Sequence, residues 1–564
     1  MCKKIFLVIT LLSTALLAFS QSMDDIYKLY FYGKESQALD AIKGVVQKDP
    51  SNMNNEFFLY SFLNATGKYD EAKTVLDKLI NNEESKSIKA VAELLAQVNS
   101  GRNGEEMADD FAKALRKGRK MKGFLSRMIG EQFLYGKHKD AKMAIFYIKQ
   151  AVDDFDMTDA TSRMLLGDAY ALKGDAGNAV TNYEYAAEKD PHNAVPHYKI
   201  GRAYLAGKNY DYGIPEFDKA IAADPNYALV YRDLGYYYYD RAKYPEAKQN
   251  FSKYLELNTP PSVNDRLWYA NTLFLNKDYA EAIQFTKAIQ KDAPNKAYLD
   301  RLLGYTYCES KDYPNALQSM NKFLAEHDTT PIISRDYEYL GRIYMGLGQD
   351  SIGRLNWLQA FQMDTSKLFL VKEIADTLYE RKQYNQAGYF FNIIAKSTNL
   401  AVDYFYATRA DYLGNQFGRG DTAAMGIIAK VPDDPTGYLW RARHNVQMDS
   451  TGTGAAIPFY NKVIELGSTN VEKYKKNLSE AANWLTAYYI KKQDYKTANS
   501  WNDKALEFDD TNPTTLSYME TLSTLIQTPS GTTPPKTPDV PKTPEAPKKD
   551  NSKQPATPKT PANK

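Results

Sequence analysis

Cysteine is almost missing from this 564-residue chain: it has two, Cys2 and Cys308. Histidine is nearly as scarce, with five residues scattered at 138, 192, 197, 327 and 444. No zinc-type HExxH, Walker loop or nucleophile-elbow GxSxG occurs, so metal, phosphate-loop and serine-hydrolase chemistry lack their usual residues. His192 and His197 are close in sequence, but no acidic or cysteine ligand set accompanies them, and no metal or cofactor is expected. Beyond residue 20 no apolar run is long enough to span a bilayer. Charge of one sign is lacking too: the formal net charge is +2.

The opening MCKKIFLVITLLSTALLAFSQS has Lys3 and Lys4, an apolar run from Ile5 to Ala18, and small residues before Gln21. It predicts a secretory signal peptide over 1–20, cleaved before Gln21. Cys2 precedes the apolar run, so lipidation is not expected. Cleavage leaves Cys308 alone and excludes an intrachain disulfide, so Cys308 is read as a small core residue. Lys3 and Lys4 account for the whole-chain charge, and residues 529–564 carry seven Lys against Asp539, Glu545 and Asp550. Residues 21–528 are thus left slightly acidic, which argues against nucleic acid as a partner.

What the chain has in abundance is tyrosine, 44 residues, and a rhythm. Small residues recur at Gly167, Gly201, Gly235, Ala270, Gly304, Gly341 and Ala375. A second small column runs Ala179, Gly213, Ala247, Ala282, Ala316, Gly353 and Ala387. A bulky column runs Tyr183, Phe217, Phe251, Thr286, Met320, Trp357 and Phe391. A period in the mid-thirties marks helix hairpins that stack, because one hairpin cannot cover its own apolar face. The small columns let two helix backbones approach closely, and the bulky column fills the remaining space. Asp190-Pro191 and Asp224-Pro225 end second helices, since proline lacks the backbone donor.

Residues 160–225 resemble the tetratricopeptide repeat family through Leu166-Gly167, Tyr170, Ala179, Tyr183, Ala186 and Pro191, then Gly201, Tyr204, Phe217, Ala220 and Pro225. The resemblance extends, with decreasing fidelity, over nearly all of 21–528. It implies an all-α fold, an α-α superhelical solenoid of about 13–14 hairpins. The stretches VPDDPTG and DSTGTG interrupt the pattern and allow a hinge near 400–450, and residues 514–527 would be a capping helix. From Pro529 on, ten of 36 residues are proline and PKTP occurs three times. That predicts a disordered Pro/Lys/Thr-rich tail over 529–564, read as a solubilising or tethering segment.

In this family the first helix of each pair lines a concave groove that holds partner proteins or peptides. Carried over, the groove positions here are Tyr198, Arg202, Arg232, Tyr236, Tyr239, Asn271, Arg301, Tyr305, Arg342 and Tyr379. Arg and Tyr favour binding hot spots. The family's carboxylate clamp of Lys and Asn is replaced by Arg, Tyr and Asp, so that mode of peptide capture is not expected. The resemblance points to a non-enzymatic protein-interaction scaffold of a Gram-negative envelope, periplasmic or outer-membrane-associated, with accessory roles in secretion, motility or outer-membrane assembly.

The alternative is a cell-wall or carbohydrate-binding module anchored by basic segments, with KALRKGRKMKG (113–123) as the anionic-surface contact through Lys113, Arg116, Lys117, Arg119, Lys120 and Lys122. GLGQDSIG (346–353) and GRGD (418–421) are read as turn-region sequences, not as phosphate-binding or adhesion motifs.

Overall fold

The computed structural model describes residues 22–258, 260–326 and 330–527. The expected signal peptide and Pro-rich tail lie outside the described residues. Among those residues there is no strand, and helices follow one another in pairs from Met23–Phe31 with Glu35–Lys48 to Val471–Lys491 with Tyr495–Phe508. That makes fourteen hairpins in a repeat solenoid, closed by the helix Pro513–Gln527.

The small and bulky columns meet as their spacing requires. A Cβ on Gly167 would lie 2.4 Å from the Tyr183 ring, and Gly201 faces Phe217 at 2.6 Å. Gly235 meets Phe251, Gly304 meets Met320 and Gly341 meets Trp357 in the same way. Each contact is a helix crossing with no room for a side chain on one side. Turns reverse the chain through one left-handed residue: Gly174 (φ 82°), Lys208 (φ 57°), Ala242 (φ 56°) and Lys277 (φ 67°) repeat the device. Asp175 then caps the next helix by accepting the Asn178 N–H at 3.2 Å.

The chain divides into two compact units, with the boundary at Leu302/Leu303 inside the helix Ala297–Glu309. The first unit has one large core cluster running from Ile26 to Leu234. Its helix Met23–Phe31 does more than pair with Glu35–Lys48. Tyr27 packs 4.7 Å from Phe62 and 6.1 Å from Phe58, and Tyr30 lies 5.8 Å from Tyr135. Thr161 donates to Asp24 at 3.0 Å, the Lys199 ammonium sits 4.9 Å over the Phe31 ring, and Tyr32 lies 4.6 Å from Tyr227. The N-terminal helix and the turn after it therefore touch the first helices of the second, fourth, fifth and sixth hairpins, and the entry to the seventh.

In the second unit the core is divided into local clusters, as nearest-neighbour stacking dictates. One runs from Trp357 to Ala423 and another from Leu439 to Ala505. The stretch expected to allow a hinge holds the helices Ala401–Leu413, Phe417–Lys430 and Pro435–Met448, and Trp440 packs 5.9 Å from Phe405. VPDDPTG is a tight turn in which Asp434 caps the next helix. DSTGTG wraps the Asp449 carboxylate in the N–H groups of Thr453, Gly454 and Ala455. These bonds hold that carboxyl well below the usual range. In the closing helix, Tyr518 and Leu522 are buried against Ala487 and Ile490.

Candidate functional site

The first helices carry the expected groove residues, and the structure sorts them by what they touch. In the first unit Tyr198 is 4% exposed. Its hydroxyl donates to Asp233 at 2.9 Å, and its ring packs on Phe217 and Tyr227. Tyr227 in turn donates to the Phe31 carbonyl. Tyr198 is thus a buried wall residue, which corrects the expectation of an accessible groove contact. The physical cause is the pair of rings and the carboxylate around it, with Tyr227 linking this group to the end of the N-terminal helix.

Beneath Tyr27 the filling is polar as well as aromatic. The Tyr27 hydroxyl donates to both Glu131 carboxylate oxygens, at 2.8 and 2.7 Å. Arg127 Nε donates to Glu131 at 2.8 Å, and its guanidinium stacks 4.7 Å over the Tyr27 ring. Ser61 bonds the same carboxylate. Arg127 and Glu131 are both buried, and such a pair is tolerable only because its hydrogen bonds are shared out this way. The short helix has Ile26, Tyr27, Tyr30 and Phe31 on a broad apolar side, wider than pairing with one neighbour needs. That breadth was the available sequence clue.

Other expected residues keep access. Arg202 has 61% of its side chain exposed and lies 3.5 Å from Asp233. Arg232 pairs with the same carboxylate at 3.0 Å and is half-buried. Tyr236 and Tyr239 both lie edge-on to Trp268 at 5.1 Å, an aromatic group to which sequence reading did not assign the tryptophan. Asn271 spends its amide on the Leu267 carbonyl of its own helix. Arg301 is half-buried.

In the second unit Tyr305 is 7% exposed. It donates to Asp336 at 2.6 Å and stacks on Tyr339 at 4.0 Å, so it too supports a neighbouring hairpin instead of standing free. Arg342, 41% exposed, bridges Glu309 and Glu338 at 3.1 and 3.0 Å. Arg335 lies over both the Tyr305 and Tyr339 rings and was not among the expected residues. Tyr379 is half-buried under the Arg409 guanidinium at 5.8 Å.

Lys113, Arg116, Lys117, Arg119 and Lys120 are exposed and Lys122 is half-exposed over the Phe155 ring. Lys113 pairs with Asp110. GRGD lies in the helix Phe417–Lys430, where Arg419 is tied to Asp411 and Asp421 to Arg441. Burial pushes the Cys308 thiol up to about 12, as befits a core residue. Among the described residues no three His, Cys, Asp or Glu groups could hold a metal ion, and no helix is long and apolar enough to cross a membrane.

Against known proteins, residues 164–228 and 232–297 match the tetratricopeptide repeat family. The anaphase-promoting complex subunit CDC16 of Saccharomyces cerevisiae is 23% identical over 185 residues, 32% of this chain and 22% of that protein. The type IV pilus assembly protein PilF of Pseudomonas aeruginosa is 25% identical over 170 residues, 30% of this chain and 66% of that protein. A solved structure, the C-terminal part of a tetratricopeptide repeat-containing protein from Cytophaga hutchinsonii, is 28% identical. It covers 44% of this chain and 98% of that one, with a TM-score of 0.27. The chain thus spans less than a quarter of the yeast relative and just under two thirds of the pilus protein.

Proposed function

The chain belongs to the tetratricopeptide repeat proteins, a fold that mediates protein–protein interaction, and we propose that it is a non-enzymatic scaffold holding partner proteins in a bacterial envelope. The observation that carries this reading is the set of first-helix cations and aromatics left accessible. Arg202 and Arg342 keep 61% and 41% exposure, and Tyr236 and Tyr239 flank Trp268. Planar donors beside half-exposed rings give large contact area at small entropy loss. The likeness to a type IV pilus assembly protein and the leader-like N-terminus support an envelope site, with accessory work in secretion, motility or outer-membrane assembly. Because Tyr198 is buried, the surface on offer in the first unit is the Arg202–Tyr239 region.

Crosslinking and mass spectrometry in the native cell tests the scaffold. Envelope proteins should crosslink next to Arg202 and Tyr236, and Arg202→Glu with Tyr236→Ala should remove those crosslinks while the fold persists. Unchanged crosslinks would end the groove assignment.

The five exposed cations between Lys113 and Lys120 favour a second reading, contact with an anionic envelope polymer. Sedimentation with purified cell wall that vanishes at high salt would support it, and no sedimentation would remove it.

A further inference from the structure

The second helices of hairpins ten and eleven, Asp350–Met363 and Tyr384–Thr398, break the pattern of their counterparts. Two residues after the small column, hairpins seven, eight and nine carry Gln249, Gln284 and Gln318. Hairpins ten and eleven carry Leu355 and Tyr389 at that register, 66% and 50% exposed. Two adjacent helices thus present large apolar groups to water where their neighbours present amides, which costs hydration free energy with no packing return.

These residues face each other across a cleft. Arg354, Leu355 and Leu358 form one wall, at helical spacing, and Tyr389 with Phe390 forms the other. Arg419, from the helix Phe417–Lys430, lines the cleft as well. The cavity is about 450 Å³, enough for one or two side chains of a bound segment. Its wall has a fixed cation. Arg419 Nε bonds the buried Asp411 carboxylate at 2.8 Å, and Nη2 bonds the Asn385 carbonyl at 2.8 Å. Arg354 makes a single described polar contact, to Ser351 Oγ at 3.3 Å. No carboxylate lines the cleft. Asp350, the nearest in sequence, is taken by Arg381.

We infer that this cleft is a second docking site, on the second helices, for a partner segment that places an apolar side chain next to a carboxylate. The apolar group fills the Leu355–Tyr389 gap, and the carboxylate meets Arg354, whose charge no acid in the cleft neutralises. The inference rests on the scaffold reading but uses the opposite helix of each hairpin from the Arg202–Tyr239 surface.

Random twelve-residue peptides displayed on phage, selected against the full chain, provide the probe. Enriched peptides should pair Asp or Glu with Leu or Phe. As synthetic peptides they should bind at least tenfold more weakly to Leu355→Glu and to Arg354→Glu, and more weakly in 0.5 M than in 0.05 M salt. Both side chains project into the open cleft, so the variants should keep the parent circular dichroism and melting curve, and Tyr389→Ala gives an independent check. Failure to enrich peptides, or enriched peptides indifferent to Leu355→Glu and Arg354→Glu, overturns the docking site. Peptides that instead lose binding to Arg202→Glu with Tyr236→Ala also overturn it, while leaving the scaffold reading in place.

Discussion

Gly167 and Gly174 sit seven residues apart in one hairpin and are glycine for different reasons. At Gly167 a Cβ would stand 2.4 Å from the Tyr183 ring and 3.1 Å from the Ala179 carbonyl, both buried. At Gly174 nothing lies within 4 Å, but φ is 82°. Gly167→Ala gains helix propensity of up to ~1 kcal/mol yet overpacks the crossing, for a net loss of about 1–2 kcal/mol. Gly174→Ala carries only backbone strain, offset by a stiffer unfolded chain, and should lose about 0.5–1 kcal/mol. Urea midpoints of the two variants rank these costs, and an inverted order would refute the assignment. A second residue-scale case is His444. Thr408 Oγ1 donates to the Gly420 carbonyl, so it accepts from His444 Nε2, and His444 Nδ1 is left buried without a partner. Burial therefore lowers this imidazole to about 4, with Asp421 opposing and Arg443 adding to the fall. The folded value lies below the unfolded value of ~6.5, so the stability is whole above pH 6.5 and drains away towards pH 4. The loss is roughly 3 kcal/mol. His444→Phe should flatten that part of the pH profile, and NMR titration of His444 near 6.5 would contradict it.

The hairpins are where the sequence was most readable, because each is specified by contacts sixteen or fewer residues apart. Gly167 against Tyr183 and Ala179 against the facing backbone can be read from spacing, since a helix crossing forbids a side chain there. Ala179→Leu tests that contact directly: Ala179 has no exposed surface, and the added atoms should cost about 1–3 kcal/mol in unfolding measurements. A cost near zero would mean that the hairpin can splay. The turns were legible as turns, but not their left-handed Lys208, Ala242 and Lys277, which lack glycine's sequence mark. In and just beyond the 400–450 stretch, Pro435 and the Gly452–Gly454 pair look like breaks in the sequence. In the fold Pro435 starts a helix, where its missing N–H is harmless, and Asp449 ties down the glycine turn. Among the site residues, position on a first helix was legible, and exposure was not. Tyr198 and Tyr305 occupy groove registers yet are sealed by Asp233 and Asp336 and by the rings beside them.

At the scale of the whole molecule, the two units solve the stacking problem differently. In the second, hairpins bury surface against their neighbours in separate clusters. In the first, the helix Met23–Phe31 binds residues up to 196 positions away, as in the Tyr227 bond to the Phe31 carbonyl. No period in the mid-thirties encodes that contact, so it could not be read from repeats. It changes what the helix must be. A lid would open cheaply, whereas here Ile26 and Tyr27 are buried and the Arg127–Glu131 pair depends on the Tyr27 hydroxyl. Opening would break the Tyr27 bonds to Glu131 and expose the buried Ile26, Tyr27 and Phe31 side chains, at about 1.5–3 kcal/mol for each large apolar group. The N-terminal helix is therefore a core element of the first unit, and its amides should exchange with solvent as slowly as those of the helix Lys122–Tyr135. Glu131→Gln removes one member of the buried pair and should destabilise this unit by about 3–5 kcal/mol. It should speed exchange in both helices together and leave exchange in the helix Val471–Lys491 unchanged. Fast exchange confined to Met23–Phe31 in the parent protein would show instead a detachable segment, one whose release exposes Phe58, Phe62 and the Arg127–Glu131 pair.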